Sequence, residues 1–545
     1  MKTFPCGCVF QTDKNGRIIF DPDVEKLPKD CSATWDLICE GNTKGVFQLE
    51  IQGANAQKVQ PRSIDELSDL IAIIRPGCTE SFIKGKNLTN HYIDRKHGRE
   101  DVEYLHPALE PILAPTQGIL VYQEQAMAIA KELAGFSLQE ADVLRKAIGK
   151  KNVALMGKIK GEFISKAIEH GIVNEEEASE IFSWIEASQR YSFNKSHSYA
   201  YATNAYLTAY TKAHFPHEFF TSYLKHAIGK PDTFEEINEL VNNARLMNIH
   251  VQPPNIKKLQ KDFQLVGDNP TFGMTNVKKV GGSVYEKLIN CVKESGNKRV
   301  DDMNFDQCLM MYGHCIKKDS MLALILSGAC DCFYINRLEM KHIYEQYKEL
   351  SKREVEWIRN NMEETLLETL NKMLLTNDWS DKKRPIFKRD RVEIIDGLID
   401  SLENPGYNLE DSPAWRAKNE QEYLGVALTC SKVDEYDTSH ANCTCKEFID
   451  GFQSTNGIAI AAELKSVREW TIKRGDSKGK KMAFITLSDS SCNLDNVVMF
   501  SEDYEKHRDK LQEKAVMLFR GMRQKEKKGF LVKKCLTSKK LVWIL

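Results

Sequence analysis

LQEADVLRKAIGKK, residues 138–151, predicts a helical fold for this part of the chain. Its apolar residues recur every three or four positions, the spacing of one face of an α-helix, at Leu138, Ala141, Leu144, Ala147 and Ile148. Ser137 precedes the stretch and Glu140 follows three residues later, the pattern of a capping box at a helix start. The cations fall between the apolar positions and are expected on the solvent-facing side, at Arg145, Lys146, Lys150 and Lys151.

The pattern of the chain changes from helical to β-rich along its length. Helical periodicity runs from about Ser63 to Glu218, with a predicted break at Pro216 and a second helix that closes near Gly229. Strand-like FQLVGD and FGM follow, and residues 335–420 are again helical in pattern and highly charged. The last stretch consists of short β-rich runs, as in IAIAAEL, KMAFITLSD, NVVMF, AVMLFRGM and GFLVKKC. The predicted fold class is multidomain α+β, mainly helical and ending in a small β-barrel or sandwich.

Composition limits the class of protein. The 545 residues are enough for about two to four domains. Hydrophobic residues make up 42% and charged residues 28%, which is ordinary for a soluble globular protein. No apolar run reaches membrane-helix length, and the N-terminus MKTFPCGCVF lacks the apolar core of a signal peptide, so a cytoplasmic location is expected. Because the formal net charge is −1, any basic surface must be local.

The fifteen cysteines are not arranged like those of a common zinc motif. No C-x-x-C pair is matched to a second one further along the chain. The closely spaced cysteines are instead C-x-C pairs, namely Cys6/Cys8, Cys330/Cys332 and Cys443/Cys445. This spacing favours reduced thiols, buried or idle, over a metal site or a set of disulfides.

Two polar motifs in the helical part could contact a ligand. SFNKSHSYAYATNAY contains Asn194, Lys195 and His197, which could bind phosphate, stack on a base or cap a helix. Local hydrogen bonds from Asn and Ser to the backbone explain the motif equally well. TKGVFQLE places Lys44 beside Gly45, a cation on a flexible approach that could meet a phosphate, although a lone Lys-Gly pair is weak support.

Two charged clusters are better explained by self-pairing. YIDRKHGRE, residues 92–100, mixes cations and one histidine with two carboxylates, which favours a solvated, self-paired turn. Asp21 and Asp23 of the DPD sequence could suggest a two-metal carboxylate pair. The flanking proline and the nearby Lys26 and Lys29 favour a surface turn there.

Two basic segments in the second half of the chain could hold DNA phosphates. VKKVGGS, residues 277–283, is similar to a helix-hairpin-helix turn, but Lys279 stands where the usual first glycine would be. A simple turn between two helices is about equally compatible with that sequence. TIKRGDSKGKK, residues 471–481, fits the basic loop of a five-stranded oligonucleotide-binding barrel; a generic barrel with a solvated lysine loop is the alternative.

Ten motifs occur in an order and spacing that resemble a known family. Those of the helical part are TKGVFQLE, IAIIRPG, YIDRKHGRE, GILVYQEQ, AGFSLQEADVLRKAIGKK, SFNKSHSYAYA and KAHFPHEFF. Together they resemble the alpha subunit of bacterial DNA polymerase III, a family C replicative polymerase. IHVQPPNI, ILSGACDCF and EYLGVALT look like later landmarks of that family, and the β-rich end stands where its OB domain belongs. The resemblance covers about residues 30–540.

The resemblance implies a domain order and a nucleotide site. It implies a palm-to-fingers linker at 1–40, a fingers domain at 41–225, a helix-hairpin-helix and clamp-binding-like domain at 226–430, and an OB domain at 431–545. The fingers of this family close on the incoming dNTP, and the residues that would face its triphosphate are Lys44, Arg145 and Lys146. Fixed cations there would stabilise the charge that grows on the leaving pyrophosphate.

The resemblance also implies supporting and DNA-binding residues. Those expected to support the fingers and the template path are Arg95, Lys96, His97, Arg99, Lys150, Lys151, Asn194, Lys195 and His197. Those expected to grip DNA phosphates without reading sequence are Lys278, Lys279, Lys473, Arg474 and Lys478.

The chain departs from the family at the catalytic centre. The palm aspartates of the family lie in a D-x-D motif and an F-D-F-L-G-like motif upstream of the GVFQLE motif, and nothing in the residues before Gly45 resembles either. Asp21 and Asp23 align better with the linker after the palm, so no catalytic or metal-binding residue is expected on this chain. The thumb, the PHP domain and most of the palm are also missing from the resemblance. Mg²⁺ would then be held by a missing palm half.

These observations predict the C-terminal part of a split DNA polymerase alpha subunit, inactive as an isolated chain. Its expected partners are primer-template DNA, dNTPs and a separate N-terminal half that carries the palm, in a bacterial cell or one infected by a phage. The alternative is a non-catalytic DNA-binding or regulatory remnant. A sliding-clamp peptide of the Q-x-x-L-F type is not found in its usual place, and QCLMMY (Gln307–Tyr312) is a poor match whose apolar residues suit a core.

Overall fold

The computed structural model describes residues 1–23, 25–150, 153–188, 191–294, 300–377, 386–473, 475–524 and 529–537. The chain divides into two compact units, Met1–Phe215 and Pro216–Leu545. The predicted fold class is confirmed, because helices precede a closed five-stranded β-barrel. No helix within the described ranges is long and apolar enough to cross a membrane.

The first unit is built mainly from helices. Its strands are β1 (Lys2–Thr3), β2 (Val9–Thr12), β3 (Ile18–Ile19), β4 (Phe82–Ile83) and β5 (Lys86–Asn87). Its helices are α1 (Ser32–Cys39), α2 (Gly53–Val59), α3 (Ile64–Ile73), α4 (Pro76–Thr79), α5 (Leu88–Lys96), α6 (Glu110–Leu113), α7 (Gln123–Ala134), α8 (Leu138–Lys150), α9 (Val153–His170), α10 (Glu175–Ser188) and α11 (Lys195–His214). The long helix α11 packs against α3 and α1, while α7, α8, α9 and α10 share a second apolar core.

Helix α8 confirms the prediction made for residues 138–150. The hydroxyl of Ser137 accepts a hydrogen bond from the backbone N–H of Glu140, whose carboxylate accepts one from the backbone N–H of Ser137, the predicted capping box. The apolar positions from Ala141 to Ile148 are buried in the core shared with α7, α9 and α10. Leu138 is the exception, because its side chain in the first turn is 73% exposed.

The second unit has a helical part followed by a barrel. Its helices are α12 (Pro216–Ala227), α13 (Thr233–Leu246), α14 (Gly282–Glu294), α15 (Phe305–Tyr312), α16 (Lys318–Leu326), α17 (Arg337–Tyr347), α18 (Lys352–Asn361), α19 (Leu366–Thr376), α20 (Val392–Glu403), α21 (Pro413–Leu424), α22 (Cys445–Ile449) and α23 (Ser501–His507). Its strands are β6 (Gln264–Val266), β7 (Asn269–Thr271), β8 (Ile458–Thr471), β9 (Lys481–Ser488), β10 (Asn493–Met499), β11 (Val516–Arg523) and β12 (Phe530–Thr537).

The helical part of this unit follows the sequence pattern with one local difference. Pro216 begins α12 directly after α11 ends at His214, as the proline predicted. FQLVGD contains β6 as predicted, but its antiparallel partner is Asn269–Thr271, so the predicted strand at FGM is wrong. Phe272, the first residue of FGM, is fully buried although it lies just after the strand. An apolar residue that is buried outside a strand gives the same sequence signal as one inside it.

The barrel has the strand order of an oligonucleotide-binding fold. Its five strands close in the order β10-β12-β11-β8-β9, with β10 and β12 parallel and the other neighbouring pairs antiparallel. The predicted β-rich runs form these strands, because alternate residues of each run point into the barrel core. The segment Thr471–Lys481 connects β8 to β9, the position of a binding loop in such barrels.

Most cysteines fit the prediction of reduced, buried thiols. Thirteen are free, and most of these are buried. Cys291 and Cys315 differ from the prediction, because they are joined in a disulfide.

Candidate functional site

Lys44 lies in a tight loop after α1 whose backbone is held on both sides. Gly45 takes a left-handed conformation with a φ of 76°, and the next two apolar anchors, Val46 and Leu49, are fully buried. The ammonium of Lys44 lies 3.1 Å from a carboxylate oxygen of Glu50. The loop therefore presents a cation on a backbone that is fixed on both sides.

A buried lysine on α11, which was not predicted from the sequence, holds the Lys44 loop in place. Lys212, on α11, donates hydrogen bonds to the backbone carbonyls of Asn42 and Lys44 at 3.0 and 2.8 Å and to Oδ1 of Asn42 at 2.9 Å. Burial, and then the nearby Lys44 charge, lower the pKa of Lys212 to about 7. Its position in the KAHFPHEFF motif is the signal that could have revealed it, but its partners lie far away in sequence.

A row of aromatic rings lies beside this loop. Phe47, 42% exposed, contacts Tyr201 with ring centroids 5.3 Å apart, and Tyr201 contacts His197 at 4.2 Å. His197 in turn meets Phe193 edge-on at 5.4 Å, and the guanidinium of Arg75 lies 3.7 Å from the centre of the Phe193 ring. Partly exposed rings in a row offer surfaces on which bases can stack.

The SFNKSH motif both caps a helix and presents a cation. Asn194 accepts a hydrogen bond from the backbone N–H of His197 and so caps α11, and its amide donates to Glu124 at 2.8 Å. The backbone N–H of Lys195 also donates to Glu124, while its exposed ammonium lies 4.0 Å from Asp65 and 5.8 Å from the Tyr122 ring. The predicted cap is therefore present, and it fixes the backbone from which Lys195 and His197 face solvent.

Arg145 and Lys146 share one carboxylate on the solvent face of α8. Arg145 donates two hydrogen bonds to Asp142 at 2.8 and 2.9 Å, and the Lys146 ammonium lies 2.7 Å from the other oxygen. These bonds, that of Lys146 first, lower the pKa of Asp142. The two cations hold a position at which a second anion could replace or join the aspartate. Lys150 ends the helix, and Lys151 lies outside the described residues.

Arg95 belongs to a network centred on Glu100. The carboxylate of Glu100 contacts Lys86 at 2.8 Å, His91 at 2.6 Å and Arg95 at 2.8 Å, and Arg95 also donates to the carbonyl of Gln117. Burial alone would raise the pKa of Glu100, but these hydrogen bonds lower it to about 2. Arg95 therefore holds together the chain around α5.

The other residues of YIDRKHGRE are paired in the same way. Lys96 lies 2.8 Å from Glu66, and His97 hydrogen-bonds to the carbonyl of Lys58 at 2.7 Å. Arg99 lies 2.9 Å from Asp94. The motif therefore connects α5 to α2 and α3, and its charges are paired within the protein.

A buried carboxyl lies on α3 and was also not predicted from the sequence. Asp69, on α3, accepts hydrogen bonds from the hydroxyls of Tyr92 at 2.9 Å and Tyr122 at 2.7 Å. Burial raises its pKa to about 6, and the tyrosine hydrogen bonds oppose that effect. An aspartate within the apolar run of α3 is the signal that could have revealed it, since a buried charge requires donors.

The candidate carboxylate pair near the N-terminus does not fit a two-metal site. Asp21 and Asp23 both lie in an exposed turn and both contact Lys26, at 2.8 and 3.4 Å. The Lys26 hydrogen bond lowers the pKa of Asp21. The predicted surface turn accounts for both residues.

The second unit presents lysines at the predicted hairpin. Lys279 has a φ of 70°, the left-handed conformation that a hairpin glycine would adopt, and its carbonyl accepts a hydrogen bond from Ser320 at 2.8 Å. Lys278 is exposed beside it. Lys279 also lines a cavity of about 450 Å³ with Lys317 and Lys318, two cations at the start of α16 that the sequence reasoning did not single out. The sequence signal for these two cations is a pair of lysines just before the apolar residues of α16.

The barrel carries cations and rings on strands β8 and β9. Lys473 lies 5.4 Å from the ring of Trp470, which is partly exposed, and Arg468 lies 5.2 Å from the ring of Phe484. Lys478 belongs to the connecting loop, and Arg474 lies outside the described residues. Cations interleaved with rings on this face are the arrangement by which such barrels hold single strands.

Comparison with known proteins extends the resemblance. Residues 9–171 match the family described as the bacterial DNA polymerase III alpha subunit finger domain, and residues 248–340 match the helix-hairpin-helix motif. The chain is 33% identical over 509 residues to the DNA polymerase III subunit alpha of Thermus aquaticus, covering 91% of this chain and 38% of the relative. The corresponding protein of Pasteurella multocida is 32% identical over 514 residues, covering 92% of this chain and 40% of that one. The chain thus spans about two fifths of the length of the curated relatives it matches, and the predicted resemblance is confirmed.

Proposed function

We propose that this chain, a homologue of part of the DNA polymerase III alpha subunit, is the nucleotide- and DNA-gripping portion of a replicative DNA polymerase. The observation that carries the proposal is the match of residues 9–171 to the finger domain of that subunit. The order of that domain, a helix-hairpin-helix region and an oligonucleotide-binding barrel along one chain supports it.

In the proposed enzyme the triphosphate of the incoming dNTP meets Lys44, Arg145 and Lys146. The Lys44 loop is fixed by its buried anchors and by Lys212, so its cation needs little reorganisation when a phosphate arrives. Arg145 can contact two phosphate oxygens at once, whereas Lys146 acts as a point charge. Both pair with Asp142 on the same exposed face of α8 until a phosphate replaces that carboxylate.

The DNA-binding role falls to three surfaces. The aromatic row from Phe47 to Phe193 would stack on template bases beside the Lys44 loop. The hairpin lysines Lys278 and Lys279 would contact duplex phosphates, and the ring-and-cation face of β8 and β9 would hold a single strand. Each of these contacts is independent of base identity, as replication requires.

The catalytic carboxylates of the proposed enzyme come from a palm-bearing partner polypeptide, which also holds Mg²⁺. The DPD turn of this chain is paired with Lys26 and does not supply them. Such an enzyme would work in the cytoplasm of a bacterial cell. Use of a sliding clamp is not proposed, since Leu309, Met310 and Met311 of the QCLMMY segment are buried in the core.

The test is primer extension with the purified full chain, alone and with a palm-bearing partner captured from the native host. Extension with Mg²⁺ and dNTPs is expected from the pair and not from the chain alone. Extension by the chain alone would contradict the division of labour. DNA binding without extension by any captured partner would favour the non-catalytic DNA-binding role instead.

A charge reversal tests the nucleotide site within the reconstituted pair. Arg145→Glu should raise the KM for dNTP by about ten-fold or more, the effect of losing one hydrogen bond between charged groups, and should lower kcat. Lys158→Glu on α9 is the matched control, because Lys158 is exposed and pairs loosely with Glu162 at 3.9 Å. Equal kinetics for the two variants would remove Arg145 from the site.

A further inference from the structure

Four side chains that can ligate a metal meet at one end of the first unit. Cys6 and Cys8 lie in the turn between β1 and β2, Cys31 directly precedes α1, and His214 is the last residue of α11. Cys31 and His214 are 183 residues apart, and Cys6 and His214 are 208 residues apart. The fold, and not local sequence spacing, brings these groups together.

The distances suit a tetrahedral ion. The Sγ of Cys31 lies 3.3 Å from Nε2 of His214, and the Sγ of Cys6 lies 3.8 Å from the same nitrogen. The four ligand atoms, including the Sγ of Cys8, all lie within 4.8 Å of one another. A tetrahedral zinc ion with Zn–S bonds of about 2.3 Å and Zn–N bonds of about 2.0 Å holds its sulfur and nitrogen ligands roughly 3.6 Å apart.

The turn that carries two of the thiols is built by backbone hydrogen bonds. The backbone N–H of Phe4 donates to the carbonyl of Cys8, and the N–H of Gly7 donates to the carbonyl of Phe4, both at 2.9 Å. Gly7 takes a left-handed conformation with a φ of 87°, which a residue with a side chain rarely adopts. This conformation lets Cys6 and Cys8 reach one site from a four-residue turn.

The surroundings are apolar and largely closed to water. Cys8, Cys31 and His214 are buried, Cys6 is half-buried, and the rings of Phe4, Phe10 and Tyr210 lie 4.3–5.5 Å from the His214 ring. Burial lowers the pKa of His214 and raises that of the Cys8 thiol.

We propose that Cys6, Cys8, Cys31 and His214 form a structural zinc site of the Cys₃His type. The set supplies four soft or borderline ligands and no oxygen, which selects zinc over Mg²⁺, Ca²⁺ and Mn²⁺. With four protein ligands the ion has no open position for a substrate, so its role is structural. This proposal differs from the prediction of idle thiols for Cys6, Cys8 and Cys31.

The zinc site would fasten the N-terminal hairpin to the end of α11. Lys212, which holds the Lys44 loop, stands two residues before His214 on that helix. Because the unfolded chain has no preformed site, zinc binding favours the folded state, so loss of zinc should lower the melting temperature of the first unit. The site does not depend on the proposed polymerase activity, and its test does not use that activity.

Metal analysis of the purified full chain tests the site directly. Close to one zinc per chain is expected, and Cys8→Ser or Cys31→Ser should remove most of it. Cys332→Ser and Cys430→Ser, partly exposed free thiols outside the cluster, are the controls and should keep it. The double variant Cys291→Ser with Cys315→Ser removes the disulfide that lies beside His314 and should also keep the zinc. Absence of zinc from the wild-type chain, or loss caused only by the control variants, would overturn the proposal.

Cobalt substitution separates ligand loss from misfolding. Co²⁺ in place of zinc should give the intense visible bands of a tetrahedral ion and thiolate charge-transfer absorption in the near ultraviolet. His214→Cys should keep the tetrahedral bands with stronger thiolate absorption, whereas His214→Ala should lose or alter them. Cobalt bands that are identical in wild type and both variants, or a disulfide among Cys6, Cys8 and Cys31 in the purified chain, would also refute the site.

Discussion

Arg337 and Arg145 are both helical arginines that contact an aspartate, yet their surroundings differ completely. Arg337, at the start of α17, is 1% exposed and donates to both oxygens of Asp331, to the fully buried Glu420 and to the carbonyl of Leu326. Arg145 is 35% exposed and shares Asp142 with Lys146, which is 58% exposed. The first arginine completes a buried network, and the second stands at a surface where its partner can be exchanged.

The contrast between the two arginines indicates which cations are able to bind a ligand. A guanidinium whose donors all meet fixed acceptors in the interior cannot turn to a phosphate without leaving buried carboxylates unpaired. A guanidinium paired with one exposed aspartate loses little when that pair opens. The exposed Arg145, and not the buried Arg337, is therefore suited to the candidate nucleotide site. Loss of Arg337 should mainly lower stability, whereas loss of Arg145 should mainly weaken nucleotide binding.

The largest effect is expected from breaking the buried network. Arg337→Met should lower the free energy of unfolding by about 3–5 kcal/mol, because it leaves the fully buried Glu420 without its cation and Asp331 with Arg416 alone. Urea unfolding of the full chain, followed by circular dichroism, measures the change. Lys341→Met on the same helix is the control, since its pair with Glu345 is partly exposed, and it should change little. Equal changes for the two variants would show that burial does not distinguish these pairs.

Breaking the Glu100 network should lower the free energy of unfolding by less than the loss of Arg337 and by more than the loss of an exposed pair. Glu100→Gln should cost about 2 kcal/mol, because Lys86, His91 and Arg95 lose their common charged acceptor. Since the folded pKa of about 2 is below the ordinary 4.5, this carboxylate stabilises the fold above about pH 4.5, and that stabilisation is lost as the pH falls toward 2.

Melting temperatures of wild type and Glu100→Gln, measured from pH 6 downward, should therefore converge. The exposed pair of Glu103 with Lys84 provides the control, and Glu103→Gln should follow the wild-type curve. A constant gap between wild type and Glu100→Gln across this range would contradict the assigned network.

A smaller effect, in a higher pH range, is expected at the buried Lys212. Its folded pKa is about 7 against an ordinary 10.5, so between these values the unfolded chain binds more protons than the folded one and stability rises with pH. Lys212→Met should lose this rise and should cost about 1 kcal/mol near pH 7 through the hydrogen bonds to Asn42 and Lys44. Thermal unfolding of both chains between pH 7 and pH 10 measures it, with Lys158→Met as the exposed control. If the melting temperatures of wild type and Lys212→Met rose in parallel with pH, Lys212 would not be the group responsible for the rise.

Local pattern predicted the elements, whereas distant contacts determined the roles of charged residues. The capping box at Ser137 and the strands of the barrel were predictable, because their signals lie within a few residues. Leu138 fits the apolar stripe yet is exposed, since the first turn of α8 extends past the core that its later residues fill. Lys212 could not be assigned from sequence, because its acceptors lie 168 to 170 residues away. Arg337 likewise depends on Glu420, 83 residues away.

The smallest effect on stability is expected at Asp142. The same variant tests most directly whether the exposed Arg145 can exchange its partner. Asp142→Asn leaves Arg145 and Lys146 on the exposed face of α8 without their shared negative partner, so the melting temperature should be nearly unchanged. Affinity for a nucleoside triphosphate, measured by titration of the full chain at low salt, should rise a few-fold because the phosphates no longer compete with a carboxylate. Glu162→Gln, which removes the partner of Lys158, should leave that affinity unchanged. Weaker binding by Asp142→Asn would mean that the aspartate positions the cations for the phosphate, and the two arginines would then differ in exposure but not in their dependence on a fixed partner.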